Sequence, residues 1–192
     1  MSRAFDSAEV NSNMNDLFSK YQKEVVAKLK EEFNLKNDLA VPTIDKIAIN
    51  CGIAEAITNK EVIDQVKSQL ASISGQQPHI TKAKKAISSF KLKKGDVIGV
   101  AVTLRGKRAW HFLEKLISIV MPKMRDFRGL PKSKFDKMGN YSFGFSEQIV
   151  FPEIEYSKID KIRGLSVSIV LKNSSIEKSQ RFFELLGIPF KK

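Results

Sequence analysis

Histidine and cysteine are scarce in this chain, and their scarcity removes several classes of chemistry. Among 192 residues there are two histidines and one cysteine. An internal disulfide is therefore excluded, and a metal centre built from these residues is not expected. The patterns GxxxxGK(S/T), GxGxxG, HExxH and CxxC are all missing, so the sequence offers no phosphate-binding loop, dinucleotide-binding turn or zinc motif. We predict no cofactor and no metal.

Long apolar runs are also absent. No stretch approaches the roughly 18 consecutive apolar residues that span a bilayer, so no membrane partner is predicted. The first predicted helix places Phe18, Tyr21, Val25 and Leu29 on one face. Both charge signs occupy its other face, which favours packing on a core over lying on a membrane surface. Residues 1–13 lack an apolar signal core and are predicted to be a disordered extension, and residues 14–192 are predicted to be a single domain.

Positive charge is what the chain has in excess. Lys and Arg number 33 against 21 Asp and Glu, which gives a formal net charge of +12. Such an excess favours a polyanionic partner through electrostatic steering and counterion release. Composition alone leaves RNA, DNA and an anionic membrane surface open. The single cysteine suits a reducing compartment, and we predict a cytoplasmic protein.

Two basic segments are candidates for contacts beyond the domain body. The first follows a helix predicted to end at Gly75 and includes Lys82, Lys84 and Lys85 without an intervening acid. We predict a projecting loop, which either contacts phosphates or carries ordinary solvated lysines. The second, Met121 to Ser146, lacks sustained periodicity and mixes basic with aromatic residues. It is predicted to be a long loop that suits RNA or a protein surface, unless its rings pack on the body.

Strict alternation predicts two strands. In the first, Ile47, Ile49 and Cys51 alternate with small or polar residues, and a similar pattern runs from Val97 to Arg105. Each strand has one apolar face and one small, polar face, which suits either an RNA-binding platform or an ordinary solvated sheet. The predicted fold class is α+β, a single domain with a curved, mostly antiparallel sheet, helices on one face and projecting basic loops.

Weaker patterns complete the predicted secondary structure. Ile87 to Leu92, Ile149 to Phe151 and Leu165 to Leu171 are predicted strands. Ser174 and Glu177 are predicted to form the capping box of the last helix.

Short blocks along the chain, taken together, resemble the bacterial form of the universal large-subunit ribosomal protein number five, the family that carries 5S ribosomal RNA. Each block alone is weak, but the series keeps the family's order and is specific. The blocks are Val41-Pro42, Lys46-Ile47, Asn50-Cys51-Gly52, Ile73-Ser74-Gly75-Gln76, Pro78, Ile80-Thr81-Lys82-Ala83-Lys84-Lys85, Ile98-Gly99, Val102-Thr103-Leu104-Arg105-Gly106, Arg125-Asp126-Phe127-Arg128-Gly129, Gly139-Asn140-Tyr141-Ser142, Glu147-Gln148-Ile149, Phe151-Pro152-Glu153-Ile154, Arg163-Gly164 and Pro189-Phe190.

The resemblance implies a structural role in the large ribosomal subunit and no enzymatic activity. Its implied partners are 5S ribosomal RNA, large-subunit ribosomal RNA in the central protuberance, P-site transfer RNA and a protein of the small-subunit head. The residues implied for the 5S contact are Lys46, Asn50, Gln76, Thr103 and Arg105. The implied transfer-RNA-facing loop includes Gln77, His79, Thr81, Lys82, Lys84 and Lys85. The implied mobile intersubunit segment includes Arg125, Arg128, Lys132, Lys134 and Lys137.

Two residues depart from the family's pattern. Ala101 and Met138 stand where the family usually has basic residues, so one phosphate contact of the family is expected to be missing at Ala101. Two other functions remain open from the residues alone. One is an enzyme that acts on RNA, and the other is a free basic RNA chaperone outside the ribosome.

Overall fold

The computed structural model of the chain describes residues 16–57, 61–124, 127–154 and 159–191. Five strands form one sheet in the order β2-β3-β1-β5-β4, and every neighbouring pair is antiparallel. The strands are β1 Thr43–Gly52, β2 His79–Lys82, β3 Val97–Leu104, β4 Tyr141–Phe145 and β5 Leu165–Lys172.

Four helices accompany the sheet. Helix α1 covers residues 16–32 and contains a π-helical turn at Tyr21–Val25. Helix α2 is Glu61–Ser74. Helix α3 covers residues 107–123, with a second π-helical turn at Leu116–Val120, and α4 is Ile176–Leu186. Short 3-10 turns lie at Asp38–Ala40, Ala54–Ile57, Ser88–Phe90, Lys132–Lys134 and Gln148–Val150.

One hydrophobic core joins the helices to a single face of the sheet. Ile47, Ile49 and Cys51 of β1 are at most 1% exposed, and they pack in the same cluster as Val102 and Leu104 of β3. Burial raises the pKa of the Cys51 thiol, which suits a packing role for this residue. The predicted α+β fold, with helices on one face of an antiparallel sheet, is therefore confirmed.

Aromatic rings connect three of the helices within this core. Tyr21 of α1 lies 4.9 Å from Trp110 of α3 and 5.8 Å from Phe182 of α4, measured between ring centroids. The Tyr21 hydroxyl donates a hydrogen bond to the carbonyl of Pro42, which precedes β1. This contact satisfies the phenol's polar end inside an otherwise apolar cluster. The predicted amphipathic first helix therefore packs on the core.

The turn before β5 replaces a predicted strand. Gln148–Val150 form a 3-10 turn that ends at Phe151, so residues 149–151 are not a strand. The buried Gln148 side chain accepts a hydrogen bond from the Arg163 amide at 2.6 Å. Arg163 is itself buried and makes paired hydrogen bonds of 2.8 and 2.9 Å to the carboxylate of Asp160. These hydrogen bonds lower the pKa of Asp160 to about 2.

Two other local predictions are wrong in detail. Residues 87–92 are a closed turn rather than a strand, since Ile87 and Leu92 form only an isolated bridge around the left-handed residue Lys91. The last helix is capped by Ser175, whose hydroxyl accepts from the amide of Lys178, and not by Ser174.

The two predicted basic loops are shorter than expected. The first contains β2, which pairs with β3 at the edge of the sheet. The second, expected across residues 121–146, includes the end of α3 and the whole of β4. Both strands are defined by pairing with distant residues, which no local periodicity records.

Three predictions fall on residues outside the described ranges. They are the disorder of residues 1–13, the intersubunit role of Arg125 and the start of the domain at residue 14. Among the described helices, none combines the length and apolar character needed to cross a membrane.

Candidate nucleic-acid interface

The face of the sheet opposite the helices is built from rows that run across the strands. The central row contains His79 of β2, Ala101 of β3, Asn50 of β1, Ser166 of β5 and Gly144 of β4. Residues paired in an antiparallel ladder place their side chains on the same face. One imidazole, one methyl group, one amide and one hydroxyl therefore line up across the full width of the sheet.

The next row repeats the same small, polar chemistry. Thr103, Ala48, Ser168 and Ser142 are paired in that order across four strands. The Ser142 hydroxyl lies 2.9 Å from the Ser168 hydroxyl and donates a hydrogen bond to it. None of these side chains is longer than threonine, so a partner can approach the backbone of the sheet closely.

Basic residues gather at one end of this face. Lys46 is paired with Val170 just after a bulge in β1, and Arg105 follows the end of β3. Asp45 lies between them and contacts Arg105 at 3.4 Å and Lys172 at 3.0 Å. The hydrogen bond from Lys172 lowers the pKa of Asp45, so this carboxylate stays ionised beside three cations. The end of the face remains net positive.

Gln76 lies beside the sheet rather than on its open face. Its side-chain amide donates to the carbonyl of Thr103 at 3.2 Å and accepts from Arg108 at 3.1 Å. The residue follows Gly75, whose positive φ of 63° ends α2. The protein therefore holds Gln76 in place at the edge of β3, close to the start of β2.

The structure divides the predicted transfer-RNA-facing loop into two parts. His79 and Thr81 lie on the open face of the sheet, since they pair with Ala101 and Gly99. The amide of the buried Ala83 donates to the carbonyl of Asp96 at 2.8 Å and closes the base of the loop. Only residues 84–94 extend beyond this closure, and they include the exposed Lys84 and Lys85 together with Phe90, which is 74% exposed.

Gln77 and Lys82 flank this division. Gln77 is exposed before β2, and Lys82 is the exposed last residue of that strand.

The second basic segment is fastened to the core by its aromatic residues. The ring of Phe135 lies 4.6 Å from that of Tyr141 and 5.9 Å from that of Phe183. Burial raises the pKa of Tyr141 to about 12. The exposed basic residues of this segment are Arg128, Lys132, Lys134 and Lys137. They are thus displayed on a packed scaffold, and not on the free loop that was expected.

A tight turn presents Met138 at the end of this segment. The carboxylate of Asp136 accepts from the amides of Met138 at 2.9 Å and Asn140 at 2.7 Å. Met138 is 71% exposed, so the position that departs from the family's pattern faces solvent.

Sequence reasoning missed the part of the face contributed by β5 and β4. Ser166 and Ser168 alternate with buried residues in a strand that was predicted correctly, so the period of two could have placed them beside Asn50 and Ala48. Ser142 carried no such signal, because β4 was not predicted. His79 was assigned to a loop for the same reason.

This arrangement defines a class of protein: a small α+β domain that presents a basic, small-residue sheet face to nucleic acid. Amide and hydroxyl side chains that have no acidic residue beside them can hydrogen-bond to ribose and phosphate oxygens. Within the described ranges no three His, Cys, Asp or Glu side chains gather to hold a metal ion.

Comparisons with known proteins identify the family. Residues 37–93 match the family model of ribosomal protein L5, and residues 97–190 match the model of the C-terminus of the same ribosomal family. The chain is 49% identical over 177 residues to the large ribosomal subunit protein uL5 of Symbiobacterium thermophilum, which covers 92% of this chain and 98% of the relative. It is 50% identical to uL5 of Chloroflexus aurantiacus over 91% of this chain and 97% of the relative. It is 45% identical to uL5 of Oceanobacillus iheyensis, over 93% of this chain and 100% of the relative.

The chain therefore belongs to the ribosomal protein L5 family. It is a structural constituent of the ribosome and not an enzyme, and the predicted ribosomal location follows from this membership.

Proposed function

We propose that this protein binds 5S ribosomal RNA on the open face of its sheet and joins it to large-subunit ribosomal RNA in the central protuberance. The observation that carries the proposal is that Lys46, Asn50, Thr103 and Arg105 occupy one face, although they come from two separate strands. The relatives are named as large-subunit proteins, which supports the same location for this chain.

The chemistry of the face suits an irregular RNA. Side chains cannot enter the deep major groove of an A-form helix, and proteins therefore recognise RNA through 2′-hydroxyls, phosphates and splayed bases. The short amide and hydroxyl groups of Asn50 and Thr103 can reach such groups when the backbone of the RNA lies close to the sheet. Lys46 and Arg105 at one end supply the charge that holds phosphates.

The two basic segments serve other partners in this proposal. Residues 84–94 extend from the edge of the sheet and are assigned to P-site transfer RNA, which their exposed lysines would contact. The basic residues displayed between Arg128 and Lys137 are assigned to a protein of the small-subunit head. Both assignments rest on the resemblance to the family together with the exposure of these side chains.

Single substitutions on the face test the proposal. We expect Asn50→Ala and Thr103→Ala each to weaken binding of a 5S RNA transcript by about 1–3 kcal/mol, because each leaves a buried RNA group unpaired. Gln65→Ala, at an exposed position on α2, is the matched control and should bind as the unaltered protein does. Filter binding gives the affinities, and footprinting of the RNA with each protein shows whether the protected nucleotides change. Unchanged affinity in both face variants would refute the assignment of this surface.

A further inference from the structure

His79 occupies an unusual place for a residue of a basic segment. It lies on the edge strand β2 with its side chain exposed on the open face, directly paired with Ala101, which is paired in turn with Asn50. Within the part of the chain that the structure describes, the imidazole makes no hydrogen bond to protein. His79 is also the only ring on this row of the face.

The surface beside His79 carries only small side chains, which leave a shallow depression. Its open floor is the methyl group of Ala101. The neighbouring Gly99 is buried, and a Cβ atom on it would lie 2.5 Å from the carbonyl oxygen of Cys51 and 3.2 Å from the hydroxyl of Thr81, so no side chain can rise from that position. His79 and Thr81 border the depression on one strand, and Asn50 borders it two strands away.

The dimensions suit one flat ring. Neighbouring strands are separated by about 4.8 Å, so the β2 and β1 backbones lie about 10 Å apart across β3. Bases stack about 3.4 Å apart, which leaves room for a single base that stacks on the imidazole and has one edge within reach of the Asn50 amide. No lysine or arginine belongs to the row of His79 or to the neighbouring row of Thr103, so the chemistry favours a base over a phosphate.

We propose that this depression is a slot for one unpaired nucleobase of the RNA, with His79 stacking on the base and Asn50 hydrogen-bonding to its edge. Histidine is one of the rings on which proteins stack splayed RNA bases. An asparagine amide matches the donor and acceptor pattern of adenine, so adenine is the preferred base. The inference rests on the proposed binding of 5S RNA to this face and adds His79 as a residue that holds one base of the RNA.

Substitutions at His79 separate stacking from charge. In binding to a 5S RNA transcript, His79→Ala should weaken the affinity roughly 5- to 100-fold, the range for loss of one stacked base. His79→Phe keeps a ring and should retain most of the affinity, whereas His79→Lys keeps a donor without a ring and should behave like His79→Ala. Gln65→Ala, at an exposed position on helix α2, is again the control and should have no effect. Retention by His79→Lys with loss in His79→Phe would overturn the stacking role.

Ala101→Lys provides an independent test, because a long side chain fills the slot. We expect weaker binding with the fold intact, measured by thermal unfolding. If the RNA backbone crosses this position instead, the lysine would tighten binding and steepen the log–log salt dependence by about 0.7–0.9, and the slot proposal would be wrong.

A fluorescent base identifies the occupant. With 2-aminopurine placed at unpaired adenines of the 5S RNA, one at a time, one position should change its fluorescence on binding the unaltered protein but not His79→Ala. If no position shows this difference, the slot proposal is wrong. Failure of the unaltered protein to bind 5S RNA at all would instead refute the proposed function, so the two failures are distinguishable.

Discussion

Gly139 gives the most direct test of how the second basic segment is fastened to the domain. Its backbone has a φ of +80°, and its buried Cα lies against the start of helix α4. A Cβ atom there would lie 2.8 Å from the carbonyl oxygen of Ser175 and 2.9 Å from the hydroxyl of Ser174. Real Cβ atoms do not approach backbone oxygens this closely, so Gly139→Ala must shift either the turn or the helix.

Gly187 offers a matched control that isolates the backbone conformation from the clash. It also has a positive φ, +94°, but a Cβ atom built on it meets nothing within 4 Å. An L-residue in the left-handed region costs about 1–2 kcal/mol, and forced overpacking adds about 1–3 kcal/mol. We therefore expect Gly187→Ala to lower the free energy of unfolding by about 1–2 kcal/mol and Gly139→Ala to lower it by about 2–5 kcal/mol.

Urea unfolding followed by the fluorescence of Trp110 measures both variants. This residue is the only tryptophan in the chain and is 6% exposed, so its emission should report loss of the core. In thermal unfolding, the extra 1–3 kcal/mol at Gly139 corresponds to a midpoint lower by about 2–12 °C than that of Gly187→Ala. Equal losses in the two variants would show that the turn does not press on helix α4, and the account of a packed segment would fail.

Three further outcomes follow from other contacts. The folded-state pKa of Asp160 is about 2, below its ordinary value of about 3.9, so the contact of this carboxylate with Arg163 stabilises the fold above about pH 5 and is lost as the pH falls towards 2. The loss of stability caused by Asp160→Asn, measured by urea unfolding, should therefore shrink between pH 5 and pH 3. A loss that stays constant over this range would contradict the role of the ion pair. The double variant Lys84→Gln, Lys85→Gln should fold and bind 5S RNA normally but weaken transfer RNA binding to the ribosomal P site. A loss of 5S affinity would contradict the assignment of these lysines to transfer RNA. The double variant Ser142→Thr, Ser168→Thr should raise the free energy of unfolding by about 0.2–1 kcal/mol through the cross-strand pair and should lower 5S affinity. Unchanged affinity would show that the RNA does not approach the sheet closely at these residues.

The buried half of the fold could be predicted from sequence because a period of two or 3.6 has a physical cause. Alternate residues of an extended strand point to the same face. The alternation of Ile47, Ile49 and Cys51 with small or polar residues therefore predicts that these three face the core, as they do. The same reasoning located β5 and the amphipathic helix α1. In each case the element is defined by which of its own residues leave water.

The edge strands β2 and β4 could not be predicted in this way. His79–Lys82 has no buried residue, since it is a short, charged edge strand of the kind that resists further pairing. Tyr141–Phe145 contains Gly144 and follows a tight turn, so its sequence suggested a loop. Both become strands because a distant strand offers hydrogen bonds to them, and a contact between distant residues leaves no local pattern.

The site was predictable only within each strand. Sequence alternation grouped Thr103 with Arg105, and Lys46 with Asn50. The burial patterns of β1 and β3 put Lys46, Asn50 and Thr103 on the face away from the core. Their arrangement in rows depends on register, which is set by pairing across the sheet. That is why the neighbours of Ala101, including His79, emerged only from the structure.

The small size of the residues on the open face is itself an argument for its function. A solvated sheet face is most stable with β-branched or aromatic residues, whereas glycine and alanine are depleted in strands. The backbone requires one of the small residues, Gly99, because a Cβ atom there would meet the carbonyl of Cys51 at 2.5 Å. It does not require Gly144, where a Cβ atom would meet only the carbonyl of Leu165 at an ordinary 3.6 Å. Packing therefore does not explain the missing side chain at Gly144, whereas the proposed function does, because an RNA bound on this face must approach the backbone of the sheet closely.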